Sequence, residues 1–205
     1  MESVWPQRTG RICDRFLDRG GLSQDSDIQS LIGKTYLDEN AIAERVKQLA
    51  RQISDDYRGR DLLLLSILKG GIFFLADLAR EISMPVTIDF IAISSYRRDQ
   101  REDGEEIRRV RFLKDLDQDI EGLDVLIVED VIDTGLTLNY ILQNLWLRKP
   151  ASLEIATLLD RPYRRLVDLK VKYQGFQVPD EFFVGYGFDY KQKLRNLPRI
   201  TRLHI

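Results

Sequence analysis

The chain has 205 residues, of which 43% are hydrophobic and 31% are charged, a composition typical of one globular domain with a full core. A formal net charge of -2 excludes a general attraction to nucleic acid or to anionic membranes, so phosphate binding requires a local arrangement of donors. Cys13 is the only cysteine and His204 the only histidine, which argues against disulfides, zinc sites and Ser-His-Asp or Cys-His nucleophiles.

The N-terminal region and the hydropathy of the chain bear on its location. All apolar stretches fall short of the roughly 20 residues that span a bilayer, and residues 1–11 lack the apolar centre of a secretory signal. We therefore expect a cytoplasmic protein without membrane partners. Residues 1 to about 30 show no clear period, and we predict an irregular extension over residues 1–35 before one domain, residues 36–205.

The first half of that domain alternates predicted helices and strands. Residues 36–57 are predicted to form a helix that Asp38 caps, because one apolar stripe recurs at helical spacing. The stripe consists of Ile42, Val46, Leu49 and Ile53. Apolar runs at residues 62–68 and 86–93 predict buried strands, and residues 72–79 between them predict an apolar helix.

The second half continues the alternation. The apolar run at residues 125–128 predicts a strand buried on both faces, and the periodic residues beyond it predict a helix that ends at Pro150. Residues 153–159 predict a further strand, and the last segment, residues 167–205, alternates short apolar pieces with turns. Strands and helices that alternate in this way predict an α/β fold with a parallel sheet and right-handed crossovers.

Ligands of parallel α/β sheets bind beyond the carboxyl ends of the strands. Four segments follow predicted strands and are therefore expected to share one edge of the sheet. They are Lys69-Gly70-Gly71, Ser94-Ser95-Tyr96, residues 129–137 and Asp160-Arg161.

Residues 133–137, with the sequence Asp-Thr-Gly-Leu-Thr, have the properties of a phosphate-binding turn. Backbone N–H groups at a helix start are unpaired, the helix dipole adds partial positive charge, and Thr134 and Thr137 offer hydroxyls. No Gly-Lys-Ser/Thr follows, so this is not a Walker loop. The alternative is a plain capped helix with Asp133 or Thr134 as its N-cap, but this leaves most of the nearby carboxylates unexplained.

Those carboxylates are Glu129, Asp130 and Asp133, and they would repel a bare phosphate. Glu129 and Asp130 are suited to the vicinal hydroxyls of a ribose, directly or through Mg²⁺, while Asp133 can exchange a proton at a reacting centre. A sugar phosphate satisfies both the turn and the acids.

Other segments carry weaker signals. Lys69-Gly70-Gly71 is equally consistent with an anion site and with an ordinary strand-to-helix turn. Residues 94–111 alternate arginines with acids, which favours a solvated hairpin or loop, although a long loop over the site can also act as a lid. By local pattern alone, residues 182–184 are a core strand, Asp189 is a turn carboxylate and Arg195 is a surface charge.

Several motifs together resemble the purine phosphoribosyltransferases of the hypoxanthine-guanine type. Residues 125–137 resemble the phosphoribosyl-pyrophosphate signature of the wider type I family. Further matches are Leu68-Lys69-Gly70-Gly71, Ser95-Tyr96, residues 158–162, residues 178–182 and residues 185–190. The resemblance extends from about residue 36 to the C-terminus.

The resemblance implies the type I phosphoribosyltransferase fold, a central parallel sheet flanked by helices and completed by a small hood. The core is then expected over about residues 58–160, and the hood mainly over residues 161–205 with part of the N-terminal segment. The expected reaction converts hypoxanthine or guanine and phosphoribosyl pyrophosphate into the nucleoside monophosphate and diphosphate, with Mg²⁺. Such enzymes are usually homodimers or homotetramers.

The resemblance also implies a role for each matching residue, with Asp133 as the general acid/base. Phosphoribosyl binding falls to Glu129, Asp130, Asp133, Thr134, Gly135, Leu136 and Thr137. Diphosphate binding falls to Leu68, Lys69, Gly70 and Arg195, with a cis peptide bond between Leu68 and Lys69. Ser95 and Tyr96 begin the lid. Arg161, Phe182 and Phe183 bind the purine, and Glu129, Asp130 and Asp189 lie on the metal side.

The chain departs from the family pattern at two purine-site positions. Arg161 occupies the position of a lysine that donates to the 6-oxo group, and Phe183 replaces a smaller valine whose role is through its backbone. Two alternatives remain open at this point: a type I enzyme for adenine or xanthine, and a nucleotide-sensing regulator that binds RNA. The segment from Phe182 to Asp189 favours a 6-oxopurine enzyme, and the net charge argues against RNA.

Overall fold

The computed structural model describes residues 30–100 and 106–204, and for residues 95–100 and 106–110 it describes the backbone only. A six-stranded sheet has the order β4-β3-β2-β5-β6-β7 and is parallel except at β4. Its strands are β2 (Leu62–Leu68), β3 (Thr87–Gln100), β4 (Glu106–Lys114), β5 (Asp124–Ile132), β6 (Ser152–Asp160) and β7 (Tyr173–Gln177). The predicted alternation is confirmed.

Helices cover both faces of this sheet. They are α1 (Glu39–Asp56), α2 (Ile72–Glu81) and α3 (Leu136–Trp146). One buried cluster joins α1 and α2 to Leu64 and Leu126, and a second joins α3 to Leu63 and Ile127. Because β2 and β5 are buried on both faces, they carry the apolar runs that parallel central strands require.

Helix α1 begins as its sequence predicts. The Asp38 carboxylate accepts a hydrogen bond of 2.8 Å from the Ala41 N–H, and Ile42, Val46 and Leu49 are buried. The helix starts at Glu39 and not at residue 36, because the preceding residues belong to a strand.

That strand, β1 (Ile32–Leu37), is part of a second, smaller sheet. It pairs antiparallel with β9 (Ile200–Leu203), which also pairs with β8 (Phe183–Val184). The assignment of residues 32–35 to an irregular extension is therefore wrong, and residues 1–29 lie outside the described part. Strand β7 pairs with β6 in the main sheet, so the segment 161–205 is divided between both sheets.

The charged segment 94–111 forms a β-hairpin. Strand β3 continues well beyond the predicted end at residue 93 and pairs antiparallel with β4, where Tyr96 lies opposite Arg109. This agrees with the hairpin interpretation of the sequence. Residues 101–105 lie outside the described part. Among the described helices, none has the length and apolar character needed to cross a membrane.

Gly135 joins β5 to α3 and can be tested by substitution. Its φ is +79°, and an added Cβ would lie 2.6 Å from Leu169 Cδ1. Gly122 has nearly the same φ, +75°, but no neighbouring atom within 4 Å of its added Cβ. We expect Gly122→Ala to lower the free energy of unfolding by about 1 kcal/mol through backbone strain alone.

Gly135→Ala should lower the free energy of unfolding by about 1–3 kcal/mol more than Gly122→Ala, since overlap adds to strain. Chemical denaturation of both variants measures the difference. Equal losses of unfolding free energy in the two variants would show that the side chains around residue 135 rearrange at no energetic cost.

Candidate active site

The carboxyl ends of β2 and β5 meet a loop from the small sheet at Gly70. A Cβ at Gly70 would overlap the Asp130 carboxylate, and a Cβ at Gly187, whose φ is +101°, would overlap the Gly70 carbonyl oxygen. The Leu68–Lys69 peptide bond is cis, as the resemblance implies. Three segments distant in the chain are thus in direct contact at the edge where the sequence predicted a ligand site.

The helix that follows β5, α3, is not capped by either of the two residues that the sequence suggested. Gly135, and not Asp133 or Thr134, is the N-cap of α3, and no side chain caps this helix. The carbonyl oxygen of Thr134 accepts a hydrogen bond of 3.0 Å from Leu166 N–H, which ties the turn to the segment after β6. Leu136 and Thr137 at the helix start are exposed. Because the first N–H groups of α3 lack a side-chain acceptor, they can serve an anion.

Glu129 and Asp130 lie inside β5, which continues to Ile132, and not beyond the end of the strand as the apolar run suggested. Neighbouring residues of a strand point to opposite faces, so the two carboxylates do not act as one side-by-side pair. Glu129 is buried, and burial followed by the nearby Asp130 charge raises its pKa well above the ordinary value.

The environment of Asp130 also disfavours ionisation of its carboxyl group. Burial is the main cause, and the Asp189 charge adds to it, while the Val131 N–H and the Arg195 guanidinium act in the opposite direction. The net effect raises the pKa of Asp130 to about 6. A nearby cation would favour the ionised form of each of these two acids.

The donor set fits Mg²⁺. Within residues 30–100 and 106–204, the His, Cys, Asp and Glu side chains form no group of three or more that could hold a metal ion alone. Mg²⁺ is commonly bound by one or two carboxylates together with substrate phosphates, so this edge needs a phosphorylated ligand to complete the coordination. Asp130 and Asp189 are two carboxylates of this edge, and the Asp189 charge contributes to the raised pKa of Asp130.

Asp189 and Arg195 form one charged group beside Gly187. Arg195 Nη2 lies 2.6 Å from Asp189 Oδ1, and Arg195 also donates to the Gly187 carbonyl oxygen. Gln192 N–H donates to Asp189 Oδ2 at 2.8 Å, and Lys69 Nζ lies 3.3 Å from Gln192 Oε1. Arg195 is therefore not a free surface charge, which corrects its local reading. Both cations predicted for diphosphate lie at this end of the sheet.

The two phenylalanines of β8 and its approach have different environments. Phe183 is 4% exposed and packs against Tyr36 at 4.8 Å between ring centroids, as a core residue does. Phe182 is 45% exposed and meets Tyr190 edge to face at 6.3 Å. The interpretation of residues 182–184 as plain core strand is thus wrong for Phe182, whose ring offers a stacking surface.

Arg161 is held close to these rings. Its Nη2 donates to the Glu181 carbonyl oxygen at 2.6 Å, and its guanidinium carbon lies 5.7 Å from the Phe183 ring centroid. Nη1 lies 3.9 Å from Asp133 Oδ1. The predicted purine residue and the predicted acid/base are therefore neighbours.

Arg164 also contacts Asp133, and sequence reasoning missed it. Its Nε lies 2.9 Å from Asp133 Oδ1 in an ion pair without the alignment of a hydrogen bond. The available signal was the basic run after β6, which contains Arg161, Arg164 and Arg165. The lid residues Ser95 and Tyr96 lie in β3 with their backbone described only, so their side-chain role remains a prediction.

Comparisons with known proteins show the family of this chain. Residues 33–191 match the model of the phosphoribosyl transferase domain family. The hypoxanthine phosphoribosyltransferase of Salmonella typhimurium is 47% identical over 172 residues, which are 83% of this chain and 94% of that protein. The chain belongs to the hypoxanthine-guanine phosphoribosyltransferases.

Other members of this phosphoribosyltransferase family extend the likeness to structure. The hypoxanthine-guanine phosphoribosyltransferase of Mycobacterium avium is 45% identical, and the match covers 86% of each chain. A crystal structure of the Bacillus anthracis enzyme superposes with a TM-score of 0.76 at 46% identity, covering 84% of this chain and 98% of that one. The structure of a hypoxanthine phosphoribosyltransferase from Staphylococcus aureus superposes with a TM-score of 0.78 at 43% identity. The match covers 88% of this chain and 96% of that one. The resemblance and the fold class are confirmed.

The raised pKa of Asp130 predicts a dependence of stability on pH. The folded state holds the Asp130 proton more tightly than the unfolded chain, whose value is 3.8, so ionisation lowers stability as pH rises from about 4 to about 6. Above pH 6 the full loss is present. Asp130→Asn removes it and should raise the free energy of unfolding at pH 7.5, without divalent cations, by up to about 3 kcal/mol.

Chemical denaturation at pH 4 and pH 7.5 with chelator measures this effect. The gain should be small at pH 4, because the folded wild type is then still protonated at Asp130 and the unfolded chain is only partly ionised there. Asp119→Asn, on an exposed turn, controls for the loss of a charge. An Asp130 variant that is less stable than the wild type at pH 7.5 would contradict the assignment.

Proposed function

We propose that the chain transfers a phosphoribosyl group from phosphoribosyl pyrophosphate to hypoxanthine or guanine, which gives IMP or GMP and diphosphate. The observation that carries this proposal is the contact of Gly70 with both Asp130 and Gly187. This contact supports the proposal because it joins the segments proposed for diphosphate and ribose to the loop before Asp189. Family membership supports the same reaction.

The phosphoribosyl half is proposed to lie along the end of β5. The 5′-phosphate would accept hydrogen bonds from the backbone of residues 134–137 and from the hydroxyls of Thr134 and Thr137. The ribose hydroxyls would face Asp130 and Glu129. The diphosphate would lie against the Leu68–Lys69 peptide and Gly70, with Lys69 and Arg195 supplying positive charge.

The purine is proposed to stack on Phe182, whose exposed ring suits a planar base. The backbone of Phe183 would contact the exocyclic group, and Arg161 would donate to the 6-oxo oxygen from a guanidinium already anchored on Glu181. Asp133, on the same side as Arg161, would accept the imidazole proton of the base.

The reaction breaks the bond between C1′ and the diphosphate oxygen and forms a bond between C1′ and the purine nitrogen. The electron pair of the broken bond leaves with diphosphate, and the base proton passes to Asp133. C1′ acquires oxocarbenium character between these events, as in other glycosyl transfers. Ser95 and Tyr96, at the start of the β3–β4 hairpin, are proposed to begin a lid that excludes water from this centre.

Mg²⁺ is proposed to neutralise the diphosphate when bound. Asp130, Glu129 and Asp189 are the side chains of this edge that would hold it, with substrate oxygens completing the coordination. We further propose that the protein is cytoplasmic, interacts with small molecules and not with RNA, and forms a homodimer or homotetramer.

Steady-state turnover with hypoxanthine, guanine, xanthine and adenine, each with phosphoribosyl pyrophosphate and Mg²⁺, tests the proposal. Turnover is expected with hypoxanthine or guanine and to disappear with chelator. Preference for adenine or xanthine would indicate the other type I enzymes. Salt-dependent RNA binding without turnover of any base would indicate a regulator.

Asp133→Asn should lower kcat by about 100- to 10,000-fold, because the amide cannot accept the base proton. Binding of the nucleoside monophosphate should change little, since the backbone of the turn is retained. Asp55→Asn, on the exposed side of α1, is the matched control. Rates within about 2-fold of the wild type would refute general acid/base catalysis by Asp133.

Arg161→Ala should lower kcat/KM for hypoxanthine and guanine by about 10- to 100-fold, the equivalent of one hydrogen bond from a charged donor. Arg161→Lys should recover part of this loss, because the ammonium still donates but lacks the anchored fork. Kinetics with each base measure the effect. A kcat/KM within about 2-fold of the wild type for both hypoxanthine and guanine would argue against base readout by Arg161.

A further inference from the structure

We propose that Arg164 is a positioning residue that holds the Asp133 carboxylate beside the base subsite and keeps it from closing onto Arg161. This inference rests on the proposed function, because it concerns the group that would accept the base proton. Its basis is a bridge from Arg164 to two acids on different segments, Asp133 after β5 and Asp180 after β7.

The bridge uses two separate nitrogens of one guanidinium. Arg164 Nε lies 2.9 Å from Asp133 Oδ1, while Nη1 donates to Asp180 Oδ1 at 2.7 Å. The side chains of Arg164 and Asp133 are 40% and 38% exposed, while Asp133 Oδ1, the oxygen that both arginines approach, is buried. The hydrogen bond from Nη1 to Asp180 fixes the planar guanidinium, and the charge of Arg164 then lies beside Asp133 as an ion pair without a hydrogen bond.

The backbone below Arg164 is itself fixed. Pro162 begins a short 3-10 turn, Pro162–Arg164, in which the Arg164 N–H donates to the Arg161 carbonyl oxygen at 3.0 Å. The Tyr163 hydroxyl donates to the Val178 carbonyl oxygen at 3.0 Å and anchors the turn to the segment before β8. Arg164 therefore starts from a defined place, and its reach to Asp133 does not depend on a mobile loop.

Asp133 lies between two arginines at unequal distances. Arg164 Nε is 2.9 Å from Asp133 Oδ1, whereas Arg161 Nη1 is 3.9 Å from the same oxygen. Because Arg164 is the closer partner, Arg161 remains outside a tight ion pair, and its guanidinium stays available to a base. Without Arg164, the Asp133 carboxylate would move toward Arg161 and pair with it. Neither group would then be available to the base.

A purely structural role makes different predictions. If Arg164 only ties the 3-10 turn to the segment after β7, breaking the bridge at Asp180 should be as harmful as removing Arg164. If Arg164 positions Asp133, the contact with Asp133 accounts for the loss of kcat, and Asp180→Ala should lower kcat much less than Arg164→Ala.

A double-mutant cycle between Arg164→Ala and Asp133→Asn measures this distinction, with hypoxanthine and phosphoribosyl pyrophosphate as substrates. Arg164→Ala alone should lower kcat by about 10- to 100-fold and change KM for phosphoribosyl pyrophosphate by less than about 2-fold. In the Asp133→Asn background the same change should lower kcat by less than about 2-fold, since its target is absent. Arg164→Lys should recover part of kcat.

Arg58→Ala, which removes an exposed ion pair on α1, is the matched control and should retain wild-type kcat. Arg164→Gln, which keeps the aliphatic stem, replaces the alanine variant in the cycle if the latter does not fold. Losses that multiply in the double variant, or equal losses for Asp180→Ala and Arg164→Ala, would overturn the role of Arg164. A wild type without turnover of any base would instead overturn the proposed function, and this inference with it.

Discussion

The architecture of the site depends on the close approach of backbone and carboxylate at Gly70. Neither Gly70 nor Gly187 has room for a Cβ, because the Asp130 carboxylate occupies one side of Gly70 and Gly187 the other. This contact joins the end of β2, the interior of β5 and the loop before Asp189. A side chain at either glycine would separate these segments and with them Asp130 from Asp189 and Arg195.

Close approach also concentrates negative charge. Glu129 is buried in β5, and Asp130 is buried against Gly70, so the pKa of each carboxyl is raised, mainly by burial. Folding alone would favour apolar residues at two such positions. Retaining acids there lowers the stability of the ligand-free protein, and a bound cation offsets that loss. This is the usual relation between stability and function at a binding site.

The sequence predicts periodic elements well and their ends less well. The apolar runs of β2, β5 and β6 and the stripe of α1 reflect burial, which leaves a regular pattern in the chain. Their ends depend on pairing with distant strands. Thus β1 takes residues 32–37 through its pairing with β9, β3 extends through its pairing with β4, and Phe182 separates from its buried neighbour Phe183 at the edge of β8.

The sequence by itself determined the α/β class and the family, because these depend on local periodicity and on long motifs. Only the tertiary structure decided which charges meet. Asp133 meets Arg164 where the turn after β5 lies beside the segment after β6, and Asp130 meets the Gly70 backbone where β5 lies beside the end of β2. Asp189 pairs with Arg195 within one loop of the small sheet. Charged residues have no period that encodes a partner, so a basic run such as residues 161–165 acquires its role only when the fold places an acid beside it.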